Sequence, residues 1–257
     1  MISIMTDNMK KHREIRIWAV IFWLVVWHIA SVVIDSKILL VSPVAVIMRL
    51  FELAIEPAFW QAIFYSFVRI VGGFLFALLA GCLSATLSAR FSRVRELLAP
   101  LMLMIKTIPV ASFIILALVW FSSKNLAIFI SFLMVIPIIY TNVLNGICET
   151  DKELLEMADI FEISGIRRIR YIYIPQVMPY FRTGCTVALG MCWKAGIAAE
   201  VIGMPKGSIG DRLQQAKVYL DTPDLFAWTL VIIVVSLIFE RLFQRLLKSL
   251  SVWLERM

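Results

Sequence analysis

Six long apolar stretches, separated by clusters of charge, limit the fold of this chain more than any other feature. They run from Ile17 to Ile34 and from about Ile70 to Ser88, Leu97 to Phe121, Leu126 to Ile147, Tyr180 to Ile202 and Leu225 to Phe239, the last continuing through Phe243. Four of the six contain no Lys, Arg, Asp or Glu. About 20 apolar residues in a helix cross a hydrocarbon layer, and a helix satisfies every backbone hydrogen bond within its own segment. The sequence therefore predicts an all-α membrane protein with six transmembrane helices. Composition agrees: 61% of the residues are hydrophobic and 17% charged, where soluble domains carry about 25% charged residues. Six spans use about 120 residues, and the loops and tails left over have no room for a separate ATPase, kinase or DNA-binding domain.

The distribution of basic residues orients these spans. The first run follows Lys10, Lys11, Arg13 and Arg16, exceeds a signal-peptide core and lacks a small-residue cleavage site, so it is expected to remain as a helix. With the N-terminus in the cytoplasm, sixteen of the 25 Lys and Arg residues fall inside and seven fall outside or at the outer boundary. Lys106 and Lys194 are left within spans. This positive-inside bias predicts that both termini are cytoplasmic, and it accounts for the net charge of +7 without nucleic acid. The expected organisation is a tail over 1–16, a transmembrane domain over 17–245 with a cytoplasmic loop at 148–179, and a tail over 246–257.

Chemistry-bearing motifs are missing from the sequence. Cys82, Cys148, Cys185 and Cys192 show no CxxC spacing, lie in or beside apolar runs, and are expected as small buried residues. The two histidines, His12 and His28, have no metal-ligand spacing around them. No GxxxxGK[ST] loop occurs, and the stretch from Gly203 to Ser208 lacks the first glycine of that pattern. No cofactor and no catalytic site are expected, so the chain is predicted not to be an enzyme.

Two spans carry rows of small residues at i+4 spacing: Gly73, Ala77, Gly81 and Ala85, and then Gly184, Ala188, Cys192 and Gly196. Such rows let helix backbones approach closely where lipid supplies no hydrophobic drive, which predicts a packed bundle. The lysines within spans need separate accounts, because an ammonium at the bilayer centre costs at least about 2.5–3.5 kcal/mol. Each either pairs internally, for example with Glu200, snorkels to an interface, or faces a water-filled pathway. Lys194 lies about 200° around the helix from Cys192 and Gly196. If that row packs against another helix, Lys194 faces a pathway, and Lys106, Trp193, Lys194 and Glu200 are its candidate residues. An ion-coupled secondary transporter or channel is the alternative class; neither inverted halves nor a mid-span carboxylate, its distinguishing signs, are evident.

The longest inside loop, about Cys148 to Pro179, opens with Glu149, Asp151, Glu153, Glu156, Asp159 and Glu162 and turns basic at Arg167, Arg168 and Arg170. Acid at a helix start and base at its end suit the helix dipole, predicting a helix from Lys152 to about Ile163 with Leu154, Ala158 and Phe161 on one face. Ser164 and Gly165 are expected to stop it, and Pro175 and Pro179 punctuate the return to the membrane. Such a helix either lies on the bilayer surface or docks a soluble partner.

Glu156-Met157-Ala158, Ser164, Ile174-Pro175 and Pro179 together resemble the EAA loop of ABC importer permeases. Ser42-Pro43, the stretch Ser66 to Gly73, Pro100, Lys106 to Pro109, Trp193 to Glu200 and Gly207 to Gly210 extend the resemblance over about residues 40–245. They are similar to the branch of binding-protein-dependent permeases that serves nitrate, sulfonates, taurine, bicarbonate and pyrimidine or thiamine precursors. Met157 departs from the family's first alanine, Phe121-Ser122-Ser123 from its glycines, and Glu162 stands where its loop glycine is expected. Gly165 is expected to supply that turn instead. The resemblance implies a type I importer permease fold in a bacterial-type inner membrane and a substrate pathway formed by a homodimer. It also implies two ABC ATPase subunits and an extracytoplasmic solute-binding protein as partners. The helix from Leu154 to Gly165, including Glu156, Met157, Ala158, Phe161, Glu162 and Ser164, together with Pro175, would couple the chain to the ATPase.

Overall fold

The computed structural model describes residues 17–36 and 38–256, and every regular element among them is helical. The expected tail 1–16, with His12 and four of the basic residues, lies outside the described residues. In chain order the helices are α1 (Ile17–Ile34), α2 (Pro43–Ile55), α3 (Pro57–Arg90), α4 (Ser92–Thr107), α5 (Val110–Ala117), α6 (Ser123–Cys148), α7 (Lys152–Ile160), α8 (Gly165–Gly203), α9 (Ile209–Val218) and α10 (Thr222–Arg256). Five are long and apolar enough to cross a membrane, and the pair α4 and α5 makes a sixth if it counts as one span.

The centre of the molecule is α6, held between α3 and α8. Both predicted small-residue rows are buried, and both face α6. A Cβ added at Gly73 would meet the carbonyl oxygen of Ile128, one at Gly81 would stand 2.9 Å from the Ile139 Cβ, and one at Gly184 would stand 2.9 Å from the Asn142 Cβ. At Gly196 it would fall between Ile70 and Ser131, so α3, α6 and α8 meet there. These approaches bring the α3 and α8 backbones directly against α6, onto a carbonyl at Ile128 and onto side chains elsewhere, which is how dispersion and close packing hold helices together in lipid. Ala77, Ala85, Ala188 and Cys192 complete the rows at 0% exposure.

The expected single helix from Leu97 to Phe121 is corrected to two, bent by 104°. The break falls at Ile108, whose backbone is extended (φ −76°, ψ 132°) ahead of Pro109. A residue before proline is driven out of the helical region by the ring. α5 then folds back so that Ile114 and Ala117 join Leu126, Ile130, Ala195 and Ala199 in a second core.

The remaining helices surround this centre. α1 is apolar all round, and only Ser31 is buried within the chain, the pattern of a helix whose surroundings are lipid. α2 begins with Ser42 accepting a hydrogen bond from the Ala45 amide and with Pro43 in its first turn, a favourable helix start. It is tied to α10 by Arg49, which binds Asp224 and Glu52; both carboxylates, Asp224 foremost, hold the guanidinium well above its ordinary range. At the bundle end that carries α9, Ser208 accepts from the Asp211 amide and Asp211 accepts from the Gly207 amide. This reciprocal cap fixes the start of α9.

Candidate functional site

The helix expected in the long loop is present as α7, somewhat shorter than predicted. Asp151 caps it by accepting from the Glu153 amide at 2.9 Å, and the Asp151 amide donates to the Gln176 side-chain oxygen on α8 at 2.8 Å. Asp159 pairs with Arg168 at 2.7 Å. α7 is therefore tethered to α8 at both ends. Between the tethers Leu155 is half-buried and Ala158 fully buried, at 0% exposure. Leu154 and Phe161, expected on the same face, do not follow it. Leu154, Met157, Ile160 and Phe161 are exposed, the last two at 79% and 71%, and Glu156 is exposed beside them. The helix rests on its own bundle through Ala158 and the half-buried Leu155 and presents Leu154, Met157, Ile160 and Phe161 outward.

The stop of α7 departs from expectation. Glu162, not Gly165, takes the left-handed backbone, at φ 51°. The Ile163 amide donates to the Ala158 carbonyl at 2.9 Å and the Glu162 amide to the Asp159 carbonyl at 3.1 Å, the paired bonds of a Schellman stop whose left-handed position usually holds glycine. Gly165 instead opens α8 after Ser164 in ordinary helical conformation. A glutamate occupies the left-handed position because the two carbonyl acceptors and the ion pair one turn away fix the chain there. Pro175 lies early in α8, just past a π turn over Ile169–Tyr173.

The four pathway candidates separate into two pairs. Lys106 and Lys194 are exposed. Lys106 donates to the Thr141 hydroxyl of α6 at 2.8 Å, and Lys194 has no hydrogen-bond or ion-pair partner among the described residues. Lys194 stands on the side of α8 opposite the buried row, as its wheel position predicts. Trp193 and Glu200 lie in the interior. Trp193 is 3% exposed and its ring packs against Phe67 and Phe239.

Glu200 has no exposure and does not pair with either lysine. Its Oε2 accepts from the Ser66 hydroxyl at 2.7 Å and from the Gly210 amide at 3.2 Å, while the Ile209 amide donates to the Ser66 Oγ at 2.9 Å. A carboxylate at the first turn of α9 satisfies free amides and suits the helix dipole. The cluster thus fastens α9 to α3 and α8. Gly210 is required there, since a Cβ would collide with Glu200 itself.

Three participants escaped sequence reasoning. Ser66 stood only as part of a resembling stretch, and its partner is 134 residues away. Gln176 carried no pattern at all. The Asp159 and Arg168 pairing was visible only as an acidic-to-basic trend along the loop.

Comparison with known proteins follows the same lines. The family model described as binding-protein-dependent transport system inner membrane component matches residues 73–252. A probable ABC transporter permease protein of Brucella abortus (strain 2308) is 27% identical over 235 residues, covering 90% of this chain and 91% of that protein. The putative aliphatic sulfonates transport permease protein SsuC of Escherichia coli (strain K12) is 29% identical over 235 residues, covering 90% and 86%. The nitrate import permease protein NrtB of Leptolyngbya laminosa is 27% identical over 171 residues, covering 62% and 61%.

Proposed function

Since the chain belongs to the binding-protein-dependent transport system inner membrane components, multi-pass proteins of the bacterial inner membrane, we propose that it is the permease of an ATP-driven importer for a small oxyanion. The proposed solute is of the sulfonate, taurine or nitrate type. Two copies form the pathway, both termini face the cytoplasm, a solute-binding protein delivers substrate at the α9 end, and two ATPase subunits bind beneath α7. The chain itself hydrolyses nothing.

The observation that carries this reading is α7: a short helix tethered to α8 by Gln176 and Arg168, with Leu154, Met157, Ile160 and Phe161 exposed beyond it. Apolar side chains displayed on a rigid mount suit a groove on a soluble partner better than open water. Movement of the ATPase pair then drags α7, and α7 drags α8. The anionic character of the solute is supported by Lys106 and Lys194, which have no carboxylate partner among the described residues and whose charge in the membrane is costly without one.

The test is Phe161→Ser combined with Glu156→Lys. Both residues are exposed, so the bundle should keep its size-exclusion profile while ATPase co-purification and transport fall roughly tenfold or more, as for loss of an aromatic anchor at an interface. Unchanged co-purification would overturn the docking role. Lys194→Met, assayed in proteoliposomes with ATP hydrolysis followed in parallel, should lower transport; full transport would remove the anionic pathway role.

A further inference from the structure

A pocket of about 420 Å³ opens between α8 and α10 at the bundle end that carries α7. It is lined by Pro179, Arg182, Thr183, Thr186 and Val187 of α8 and by Gln244 and Leu247 of α10. Unlike a cavity of about 460 Å³ lined mainly by apolar side chains of α3, α6 and α8, this one places polar side chains around the Arg182 cation. The Arg182 guanidinium has no ion pair or hydrogen bond among the described residues. Glu240 on α10 accepts the Gln244 amide at 2.9 Å and forms no ion pair with Arg182. The Thr183 and Thr186 hydroxyls donate to the carbonyls of Pro179 and Arg182 at 3.0 Å. Those carbonyls lie within a helix, so either hydroxyl can swing to another acceptor without leaving an amide unbonded.

The pocket also shares a face with Lys194. Thr183, Val187, Gly190 and Lys194 fall within about 60° of one another around α8, and Thr183 lies about 16 Å along the helix from Lys194. All four are exposed. Lys194 therefore stands at one end of an exposed strip whose other end, Thr183 and Val187, lines the pocket. Arg182 lies about 120° around the helix from Lys194 and lines the pocket from beside the strip, which is floored by Gly190, beside which there is open space.

We propose that the pocket formed by Arg182, Thr183, Thr186 and Gln244 is an inner oxyanion site, which receives the solute after it passes Lys194 and from which it leaves at the α7 end. The planar guanidinium pairs two oxygens of a sulfonate, nitrate or bicarbonate group side by side, and a threonine hydroxyl with the Gln244 amide serves the remaining oxygen. This rests on the anionic-solute reading above and adds a second station, with its own residues, to the same route.

The experiment is ¹⁹F NMR of trifluoromethanesulfonate titrated against the full chain in neutral phosphatidylcholine nanodiscs. Arg182→Gln, Arg182→Lys and Lys194→Met are run beside the parent, each checked for an unchanged size-exclusion profile. Arg182→Gln should weaken binding roughly tenfold or more, as for loss of a charged hydrogen-bond donor. Arg182→Lys should restore part of it, and Lys194→Met should leave this site's binding in place. Nitrate and ethanesulfonate should displace the probe. Binding insensitive to Arg182→Gln but lost in Lys194→Met overturns the inner site and leaves the anionic reading standing. Absence of binding to the parent removes both. If phosphatidylglycerol added to the nanodiscs displaces the probe while nitrate and ethanesulfonate do not, the pocket holds a lipid headgroup and the proposal fails.

Discussion

Replacing Glu162 by glycine should tighten the α7 stop, although it removes a charged side chain from the loop. Glu162 sits at φ 51°, where an L-residue with a Cβ pays about 1–2 kcal/mol. Glycine escapes that cost but loses about 0.5–1 kcal/mol of extra chain freedom on folding. The balance is a gain of about 0.5–1 kcal/mol for the local stop, because Glu162 makes no side-chain hydrogen bond or ion pair with the described residues that would be lost. Two amides report on it directly: Ile163, bonded to the Ala158 carbonyl, and Glu162, bonded to the Asp159 carbonyl. Local opening sets their hydrogen exchange, so the gain should appear as roughly two- to fivefold slower exchange over residues 158–163 in Glu162→Gly. Gly165→Ala is the matched control. Its added methyl meets nothing within 4 Å and its backbone is already helical, so exchange over 158–163 should not quicken. Faster exchange in Glu162→Gly, or a loss in Gly165→Ala, would refute the assignment of the turn to Glu162.

Other substitutions test the packing around this element. Gly196→Ala would set a methyl 2.6 Å from the Ile70 side chain and 2.7 Å from the Ser131 hydroxyl; it should lower stability in detergent by about 1–3 kcal/mol, whereas Gly190→Ala, which meets open space, should leave the melting temperature in place. Ser66→Ala removes one donor to Glu200 and the acceptor of the buried Ile209 amide, which should cost about 1–3 kcal/mol and quicken amide exchange in the first turn of α9 while α6 exchanges as before.

How far the sequence reached depends on whether the controlling interaction is local. The six apolar runs were legible because lipid imposes a length and a composition on each span. Their true ends were not. α3 begins at Pro57 and α8 at Gly165, the helix continuing past residues such as Gln61 and Arg69, or Arg167 and Arg170, that interrupt the apolar run. The bend at Ile108 was written locally in the following proline, but a hydropathy reading averages over it. The small-residue rows announced close packing and left the partner unnamed, since α6 receives both rows with Ile128, Ser131, Ile139 and Asn142, which share a face but are not small residues at i+4 spacing. Glycine at 165 was a reasonable candidate for the turn by residue type. The turn falls at Glu162 because α7 ends where Asp159 meets Arg168, a contact across the stop that propensity does not see.

The tethers of α7 bear on how motion would pass into the membrane. Arg168 lies just before the π turn over Ile169–Tyr173 and Gln176 just after it. A wide turn of this kind is the place where a helix most readily changes its winding. If α7 were fastened on one side only, a pull on it could be spent in rewinding that turn. Gripping both sides fixes the span between residues 168 and 176, so a displacement of α7 must either break one tether or move α8 as a body. The tethers are a 2.7 Å ion pair and a 2.8 Å hydrogen bond donated by the Asp151 amide to the Gln176 side-chain oxygen, and Ala158 is buried between them. Moving α8 shifts Gly184, Ala188, Cys192 and Gly196 against α6 and carries with it Lys194, on the exposed face opposite that row, and Arg182, beside α10.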